Sequence, residues 1–193
     1  TKRGVVKKTK LEEYSRPRTN GIIAINLKND DELISVQTTS GKDQIIISTK
    51  MGQALRFNEE GVRAVGRNSM GVKGIKLNKD DYVVSSEVIK NKNSHILTVT
   101  ENGFGKRTEI EKYRLTSRGG KGVTSMRIKD DDPVDHIMVG DTHDTLLFFT
   151  DRGRVLRLTS YELRADTSRN TRGVPIVNVI NLNRLVDTFI KGS

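Results

Sequence analysis

The chain has 193 residues, and its 34 Lys and Arg outnumber its 24 Asp and Glu, which gives a formal net charge of +10. It contains no Cys, which excludes disulfide bonds and cysteine-based metal sites, and no apolar stretch predicts a membrane span or a signal peptide. Soluble domains this basic usually bind a polyanion, so the composition favours a nucleic-acid partner over charge that serves solubility alone.

A unit of about fifty residues is repeated along the chain. Each copy opens on a Thr-x-x-Gly turn, and the four glycines are 48, 51 and 50 residues apart. A fixed period of this size predicts one supersecondary unit copied in series. We therefore expect one domain over residues 1–193, with the last repeat incomplete. The predicted repeats are 1–48, 49–99, 100–149 and 150–193.

The first two repeats show the predicted strands of the unit. In the first repeat, the second strand begins at Gly21, the third follows the polar turn 29–31 and the fourth covers 44–48. In the second repeat, apolar and polar residues alternate clearly enough to predict four strands joined by a polar loop and two turns. These strands are 52–57, 71–77, 82–89 and 95–100.

The third and fourth repeats follow the same plan. The predicted second strands begin at Gly122 and Gly173, the acidic turn 130–132 precedes another third strand, and residues 145–149 form another fourth strand. The last repeat ends after a predicted third strand at 185–190, so we expect three complete blades and part of a fourth, an incomplete arc of a larger disc.

Four antiparallel strands per unit predict an all-β, propeller-like fold, with a pair of β-sandwiches or an open β-solenoid as alternatives.

Basic residues are concentrated in the first part of every repeat, from the opening turn through the second strand. These front parts (1–28, 49–77, 100–129 and 150–183) hold 28 of the 34 basic residues but 10 of the 24 acidic ones. Residues at equivalent positions of a repeat lie at equivalent places on the assembled molecule. The pattern therefore predicts a continuous basic band that binds a phosphate backbone.

The predicted DNA-binding residues lie on the first strands, in the loops that follow them and at the second strands. Glycines are included because they let a backbone approach a phosphate closely and offer N–H donors. With 5% aromatic residues and no Trp, the sequence favours duplex DNA over stacked single strands. The predicted set is Lys7, Lys8, Arg16, Arg18, Arg56, Arg63, Arg67, Lys73, Lys106, Arg107, Arg114, Arg118, Gly119, Gly120, Lys121, Gly122, Arg154, Arg157, Arg169 and Arg172.

Two further patterns do not predict chemistry. The run 118–124 is rich in glycine and basic residues but lacks the spacing of a nucleotide-binding phosphate loop. The acidic and histidine residues between 135 and 144 lack the spacing of a metal site, so we interpret them as a polar turn between strands. No arrangement of nucleophile, base and acid stands out, and we predict neither catalytic residues nor a metal site.

Several segments resemble the C-terminal domain of bacterial DNA gyrase A, with the equivalent domain of topoisomerase IV as the close alternative. The resemblance covers essentially the whole chain and is carried by residues 62–67, 71–75, 103–108, 113–114, 117–122 and 142–149. The family's heptapeptide Gln-Arg-Arg-Gly-Gly-Lys-Gly corresponds to 116–122. The last five residues of that segment agree with the motif, and Thr116 and Ser117 differ from it.

The resemblance implies a β-pinwheel whose blades exchange a strand, and a rim around which duplex DNA bends to support ATP-dependent negative supercoiling. It implies a domain that is not an enzyme by itself and needs no cofactor, with ATP and Mg²⁺ used by other domains. The implied partners are duplex DNA, the rest of gyrase A and the gyrase B protein, in the bacterial cytoplasm with the nucleoid. Alternatives from other classes are a protein-interaction propeller and a catalytic topoisomerase fragment. The first lacks a Gly-His…Trp-Asp signature here, and the second lacks a tyrosine breakage-reunion domain.

Overall fold

The computed structural model describes residues 1–28, 30–129, 131–150 and 152–179. Over these residues the fold is almost entirely β, as predicted, with four short 3-10 helices and one four-residue α-helix. The strands are β1 (Val5–Val6), β2 (Gln44–Thr49), β3 (Gln53–Asn58), β4 (Val72–Lys73), β5 (Val83–Ile89), β6 (His95–Thr100), β7 (Phe104–Glu109), β8 (Val123–Thr124), β9 (Val134–Gly140), β10 (Thr145–Phe149), β11 (Val155–Thr159), β12 (Ala165–Asp166) and β13 (Val174–Pro175). The α-helix, α1, covers Ile176–Val179, and the 3-10 helices cover Leu11–Tyr14, Glu59–Gly61, Ile110–Lys112 and Ser160–Glu162.

The long alternating strands were predicted correctly, but the second strands are much shorter than predicted. β4 covers two residues of the predicted 71–77, because the N–H groups of Gly74 and Ile75 both turn to the carbonyl of Gly4 and leave the ladder. The first repeat has no second or third strand among its described residues, which corrects the strands predicted after Gly21 and after the turn 29–31. The predicted strand 185–190 lies outside the described residues.

Each complete sheet is built from three successive repeats. In the sheet with order β5-β2-β3-β8, β2 is the fourth strand of repeat 1, β3 and β5 belong to repeat 2, and β8 is the second strand of repeat 3. The next sheet repeats this plan with β9, β6, β7 and β13, and β12 adds a parallel pairing to β7. Every repeat therefore contributes a strand to its neighbour's sheet, as the family resemblance implied.

The Thr-x-x-Gly turn is held by the same hydrogen bonds in all four repeats. The Gly N–H donates to the Thr carbonyl, and the Thr hydroxyl accepts from the N–H four residues later. In Gly52 the turn needs a positive φ of 74°, which a residue with a side chain rarely adopts. The turn has Thr at the first position because its hydroxyl accepts this hydrogen bond, and it has Gly at the fourth because that residue has a positive φ.

The acidic turn before each third strand has a related role. A carboxylate in this turn accepts the N–H of the residue just before the glycine of the opening turn, so the two turns of one repeat lie together. The three pairs are Asp31 with Arg3, Asp81 with Met51 and Asp132 with Asn102, at 2.9, 3.0 and 2.9 Å.

The core lies between successive sheets and where their third strands meet. Ile46, Ile96 and Ile137, from three different strands, are at most 1% exposed and belong to one hydrophobic cluster. β5 and β9 are neighbours, and the Ser85 hydroxyl donates to the Ile137 carbonyl at 3.1 Å. The second strands lie at the opposite edges of the sheets. We call this opposite edge, formed by β4, β8 and β13 with the loops that precede them, the rim.

Candidate nucleic-acid interface

Three equivalent loops, at residues 64–70, 115–121 and 166–172, form the rim together with the second strands, and we call them the rim loops. Each accepts a backbone hydrogen bond from the preceding repeat, so the rim is continuous from one repeat to the next. The donors and acceptors are Asn26 N–H to Ser69 at 3.3 Å, Lys76 N–H to Gly120 at 2.8 Å and Arg127 N–H to Thr171 at 3.1 Å.

Each rim loop carries an arginine at the same position, and each guanidinium binds the preceding repeat. Arg118 donates from Nη1 to the Lys73 carbonyl at 3.1 Å and from Nε to the Gly61 carbonyl at 2.8 Å. All three arginines stay half-exposed. They therefore join repeats while part of each guanidinium still faces solvent. The equivalent bonds are Arg67 to Ile23 at 2.8 Å and Arg169 to Thr124 at 2.9 Å.

Two predicted DNA contacts on the first strands are instead buried between repeats. Arg56 and Arg107 are 8% and 7% exposed. Arg56 Nη1 donates to the carbonyls of Ile110 and Tyr113 at 2.9 and 3.0 Å, and Arg107 Nε donates to the Leu163 carbonyl at 2.9 Å. Burial lowers the pKa of both guanidiniums. Direct contact between these side chains and DNA is inconsistent with the structure.

Lys8 makes the same contact at a half-buried position. Its Nζ donates to the Glu59 carbonyl at 2.9 Å and lies 3.7 Å from the Glu59 carboxylate. The 3-10 turn of repeat 2 is thus fastened to the first strand of repeat 1. Arg56 fastens the next turn in the same way.

A third predicted DNA contact, Lys106, is also buried. It is 2% exposed and lies beneath the rim loop of repeat 4. Its Nζ donates to the Ser168 carbonyl at 3.2 Å, to Thr171 Oγ1 at 3.3 Å and to the Arg169 carbonyl. Burial lowers the pKa of Lys106 to about 8, nearby Asp166 opposes this shift and Arg169 adds to it. An ammonium in this position supports the loop from inside and cannot reach a phosphate.

Eight predicted contacts are exposed and make no hydrogen bond or ion pair with their side chains within the described part of the chain. They lie after the first 3-10 helix, in rim loop 115–121, in the segments that lead into rim loops, on β4 and at β11. Their charge is therefore available to an anionic partner. These residues are Arg16, Arg18, Arg63, Lys73, Arg114, Lys121, Arg154 and Arg157.

Two further predicted residues are only partly available. Lys7 is half-buried, and its Nζ donates to the carbonyls of Arg67 and, at 2.6 Å, Ala24. Arg172 lies 3.8 Å from the buried Asp132 carboxylate, and its guanidinium stacks 3.8 Å from the centre of the Phe104 ring.

Two exposed basic side chains beside the rim, Lys76 and Arg127, were not among the predicted residues. They occupy the same position in successive repeats, five residues after the glycine that opens the second strand. That recurrence was the available signal. The structure places Lys76 beside Gly120 through its backbone bond, and the side chain of Lys73 runs past Gly119, where a Cβ would meet its Cγ and Cδ at 3.9 Å.

The three predicted glycines have different roles. Gly122 has φ +79°, and a Cβ there would lie 2.4 Å from the Ala54 carbonyl oxygen, so packing between repeats requires this glycine. Gly119 needs glycine for its φ of +83°. Gly120 is exposed and has no atom closer than 3.8 Å to a Cβ position. Only Gly120 is left without a structural requirement, which fits a glycine that lets a ligand approach.

Asp141, His143 and Asp144 lie in the predicted polar turn, where Asp144 Oδ2 accepts the Asp141 N–H at 2.6 Å. Asp135 and His136 lie on β9 instead, which corrects the prediction of a turn at these two positions. Among the described residues, no group of three or more His, Asp and Glu is arranged to hold a metal ion. In the same part of the chain, no helix is long and apolar enough to cross a membrane.

A family model described as DNA gyrase C-terminal domain, beta-propeller, matches residues 1–40, 43–90, 94–141 and 144–184. The A subunit of DNA gyrase from Salmonella typhimurium is 43% identical over 97% of the chain, and that of Staphylococcus aureus MRSA252 is 42% identical over 99%. The chain spans 22% of the length of each of these relatives.

Two solved structures share the fold and part of the sequence. The C-terminal domain of DNA topoisomerase IV superimposes with a TM-score of 0.84 at 31% identity, covering 89% of this chain and 54% of that one. The DNA gyrase A C-terminal domain superimposes with a TM-score of 0.80 at 27% identity, covering 90% of this chain and 58% of that one.

Proposed function

Because the chain belongs to the DNA gyrase C-terminal domain family, we propose that it binds duplex DNA along its rim and bends the duplex around the molecule. One observation carries this proposal: exposed basic side chains that have no partner among the described residues recur at the rim of successive repeats. Lys73 and Lys121 are examples from neighbouring repeats. A row of such charges on a rigid edge neutralises successive phosphates and favours a curved path for the duplex.

The rim favours phosphate contacts over base recognition. Its exposed charged side chains, Lys73 and Lys121, are both basic, and aromatic residues make up 5% of the chain. Stacking platforms for single-stranded nucleic acid need aromatic side chains along the binding groove. Duplex binding should therefore tolerate different sequences and depend strongly on salt.

In the whole enzyme, we infer that this chain serves gyrase A as a wrapping domain without catalytic residues or a cofactor of its own. Its partners would be the DNA, the rest of gyrase A and the gyrase B protein, in the bacterial cytoplasm, and ATP and Mg²⁺ would be used by other domains. The 42–43% identity to gyrase A proteins favours gyrase. The TM-score of 0.84 to a topoisomerase IV domain makes decatenation by that enzyme the second candidate.

Fluorescence anisotropy with a labelled duplex tests the proposal. With roughly 6–10 phosphate contacts, affinity should fall on the order of 10³–10⁵ between 50 and 200 mM salt. Replacing Lys73, Lys76 and Lys121 by Ala should reduce the slope of log affinity against log salt by about 3, one for each phosphate that is no longer neutralised.

The matched control replaces three lysines that lie outside the rim. Lys42 is exposed just before β2, and Lys90 and Lys92 are exposed between β5 and β6, so their replacement by Ala removes the same charge. We expect a slope close to that of the wild type. Equal losses in the two triple variants would show that net charge, rather than the rim, governs binding, and a weak salt dependence of the wild type would contradict the proposed function itself.

A further inference from the structure

One position of the repeat distinguishes the rim loops from each other. The residue three places after the glycine of the opening turn is Lys7 in repeat 1, Leu55 in repeat 2 and Lys106 in repeat 3. Each of these residues lies under the rim loop of the following repeat. Lys7 donates to the carbonyl of Arg67, and Lys106 donates to the equivalent carbonyl of Arg169.

Leu55 cannot make this contact. It is 2% exposed, and its Cδ1 lies 3.8 Å from the place a Cβ would take on Gly120, so it occupies the site beneath the loop without offering a donor. Rim loop 115–121 therefore lacks the lysine contact. It is held by the half-exposed guanidinium of Arg118, as the other two loops are by their own arginines, and by backbone bonds such as that from the Gly119 N–H to the Gly74 carbonyl at 2.5 Å.

These two kinds of fastening differ in how easily they can be released. The ammonium of Lys106 is buried, and the loss of its acceptors would leave it desolvated and unpaired, which is strongly unfavourable. Lys7 is half-buried, so the same loss there would cost less. A solvent-facing guanidinium can exchange a carbonyl for water or for a phosphate oxygen, both of which satisfy its N–H groups.

We propose that Lys7 and Lys106 are positioning residues that fix rim loops 64–70 and 166–172, whereas Leu55 leaves rim loop 115–121 able to rearrange and adapt to bound DNA. The last step rests on the proposed function. The difference in mobility between the loops does not depend on it.

Trypsin tests the mobility directly, because each loop carries an arginine at the same position. The rates of first cleavage after Arg67, Arg118 and Arg169 are measured by mass spectrometry. Because these peptide bonds occupy equivalent positions, the rates report how often each of the three loops opens locally. In the wild type, cleavage after Arg118 should be the fastest. Lys106→Leu, which installs the residue found at position 55, should raise cleavage after Arg169 on the order of tenfold and leave cleavage after Arg67 unchanged.

Lys7→Leu is the reciprocal variant, and it should raise cleavage after Arg67 while leaving Arg169 unchanged. Each variant is the control for the other, because general destabilisation would raise both rates together. Lys106→Met serves if Lys106→Leu fails to fold. Equal wild-type rates at the three bonds, or variants that raise all rates alike, would overturn the proposal.

A second arm adds a saturating duplex to the wild-type protein. Cleavage after Arg118 should then fall more than cleavage after Arg169, because DNA fixes the loop that was free to move. Equal protection at both bonds would contradict the adaptive role of loop 115–121. Absence of any binding would contradict the proposed function and leave the cleavage rates of the free protein as a valid test of the positioning residues.

Discussion

Lys106 shows how a single residue can carry the same charge as its neighbours on the rim and serve a different purpose. It is almost completely buried, and three oxygen atoms of rim loop 166–172 accept its hydrogen bonds. Its stability contribution depends on pH, because burial lowers its pKa to about 8 from an ordinary value of 10.5.

The sign of this dependence follows from the two pKa values. Between pH 8 and 10.5 the unfolded chain binds the proton more tightly than the folded one, so the free energy of unfolding rises with pH through this window. Relative to Lys106→Met, the wild type should gain up to about 3 kcal/mol across it. Urea unfolding of both proteins from pH 7.5 to 10.5 measures the gain, and a difference that does not change with pH would contradict the assignment.

A matched pair of glycine substitutions tests the roles assigned to the motif 118–122. Gly122→Ala should lower the free energy of unfolding by about 2–4 kcal/mol, because it combines a positive φ with a Cβ placed 2.4 Å from the Ala54 carbonyl oxygen. Gly120→Ala should change stability by less than about 1 kcal/mol and weaken duplex binding. Thermal unfolding and anisotropy separate the effects, and similar stability losses at both positions would refute the distinction.

At the scale of elements, repeats are joined by exchanged strands and by basic side chains that bind backbone carbonyls of the next repeat. β8 completes the sheet of β2, β3 and β5, and Arg56 fastens the 3-10 turn of repeat 3 to β3. Such contacts occur between neighbours in the repeat array, so the loss of one should loosen one junction between repeats.

Arg56 and Arg114 provide a test that separates stability from binding. Arg56→Leu leaves the carbonyls of Ile110 and Tyr113 without their donor and should lower the free energy of unfolding by about 2–4 kcal/mol. Arg114 is exposed, and its side chain has no partner within residues 1–28, 30–129, 131–150 and 152–179, so Arg114→Ala should change stability little and reduce the salt slope of duplex binding by about 1. Denaturant unfolding and anisotropy on both variants decide the matter, and a folded Arg56→Leu protein with normal stability would contradict the fastening role.

At the scale of the whole molecule, positive and negative charge are concentrated in different parts of each repeat. The front parts of the repeats carry a net charge of +18 and the remainder −8, and the second strands of the front parts lie at the rim. Acidic carboxylates such as Asp81 hold turns of the same repeat instead of facing the rim. This separation gives the rim a positive potential that steers and holds a polyanion.

Ligase-catalysed circularisation of short duplexes tests whether this potential bends DNA. Arg118→Ala combined with Lys121→Ala should reduce circularisation more than it reduces affinity, because the remaining rim charges still attract DNA while the loop over Gly120 no longer holds it closely. The Lys90→Ala and Lys92→Ala pair is the matched control. Circularisation that is unchanged in the rim-loop pair would mean that this loop does not determine bending.

The sequence by itself determined the repeat, the long strands and the distribution of charge. Thr-x-x-Gly and alternating apolar residues report local hydrogen bonds and local burial, so the long strands of repeats 2 and 3 could be predicted without a neighbour.

Only the tertiary structure decided which basic residues remain available to DNA. Arg56 and Arg114 look alike in the sequence, yet one is buried against carbonyls of the next repeat and the other is exposed. The second strands also depend on a partner strand from the preceding repeat, as β8 depends on β3, which accounts for their short length. In both cases the deciding contacts join residues about fifty positions apart. The sequence pattern within one repeat therefore does not show which carbonyl or strand of the neighbouring repeat it will contact.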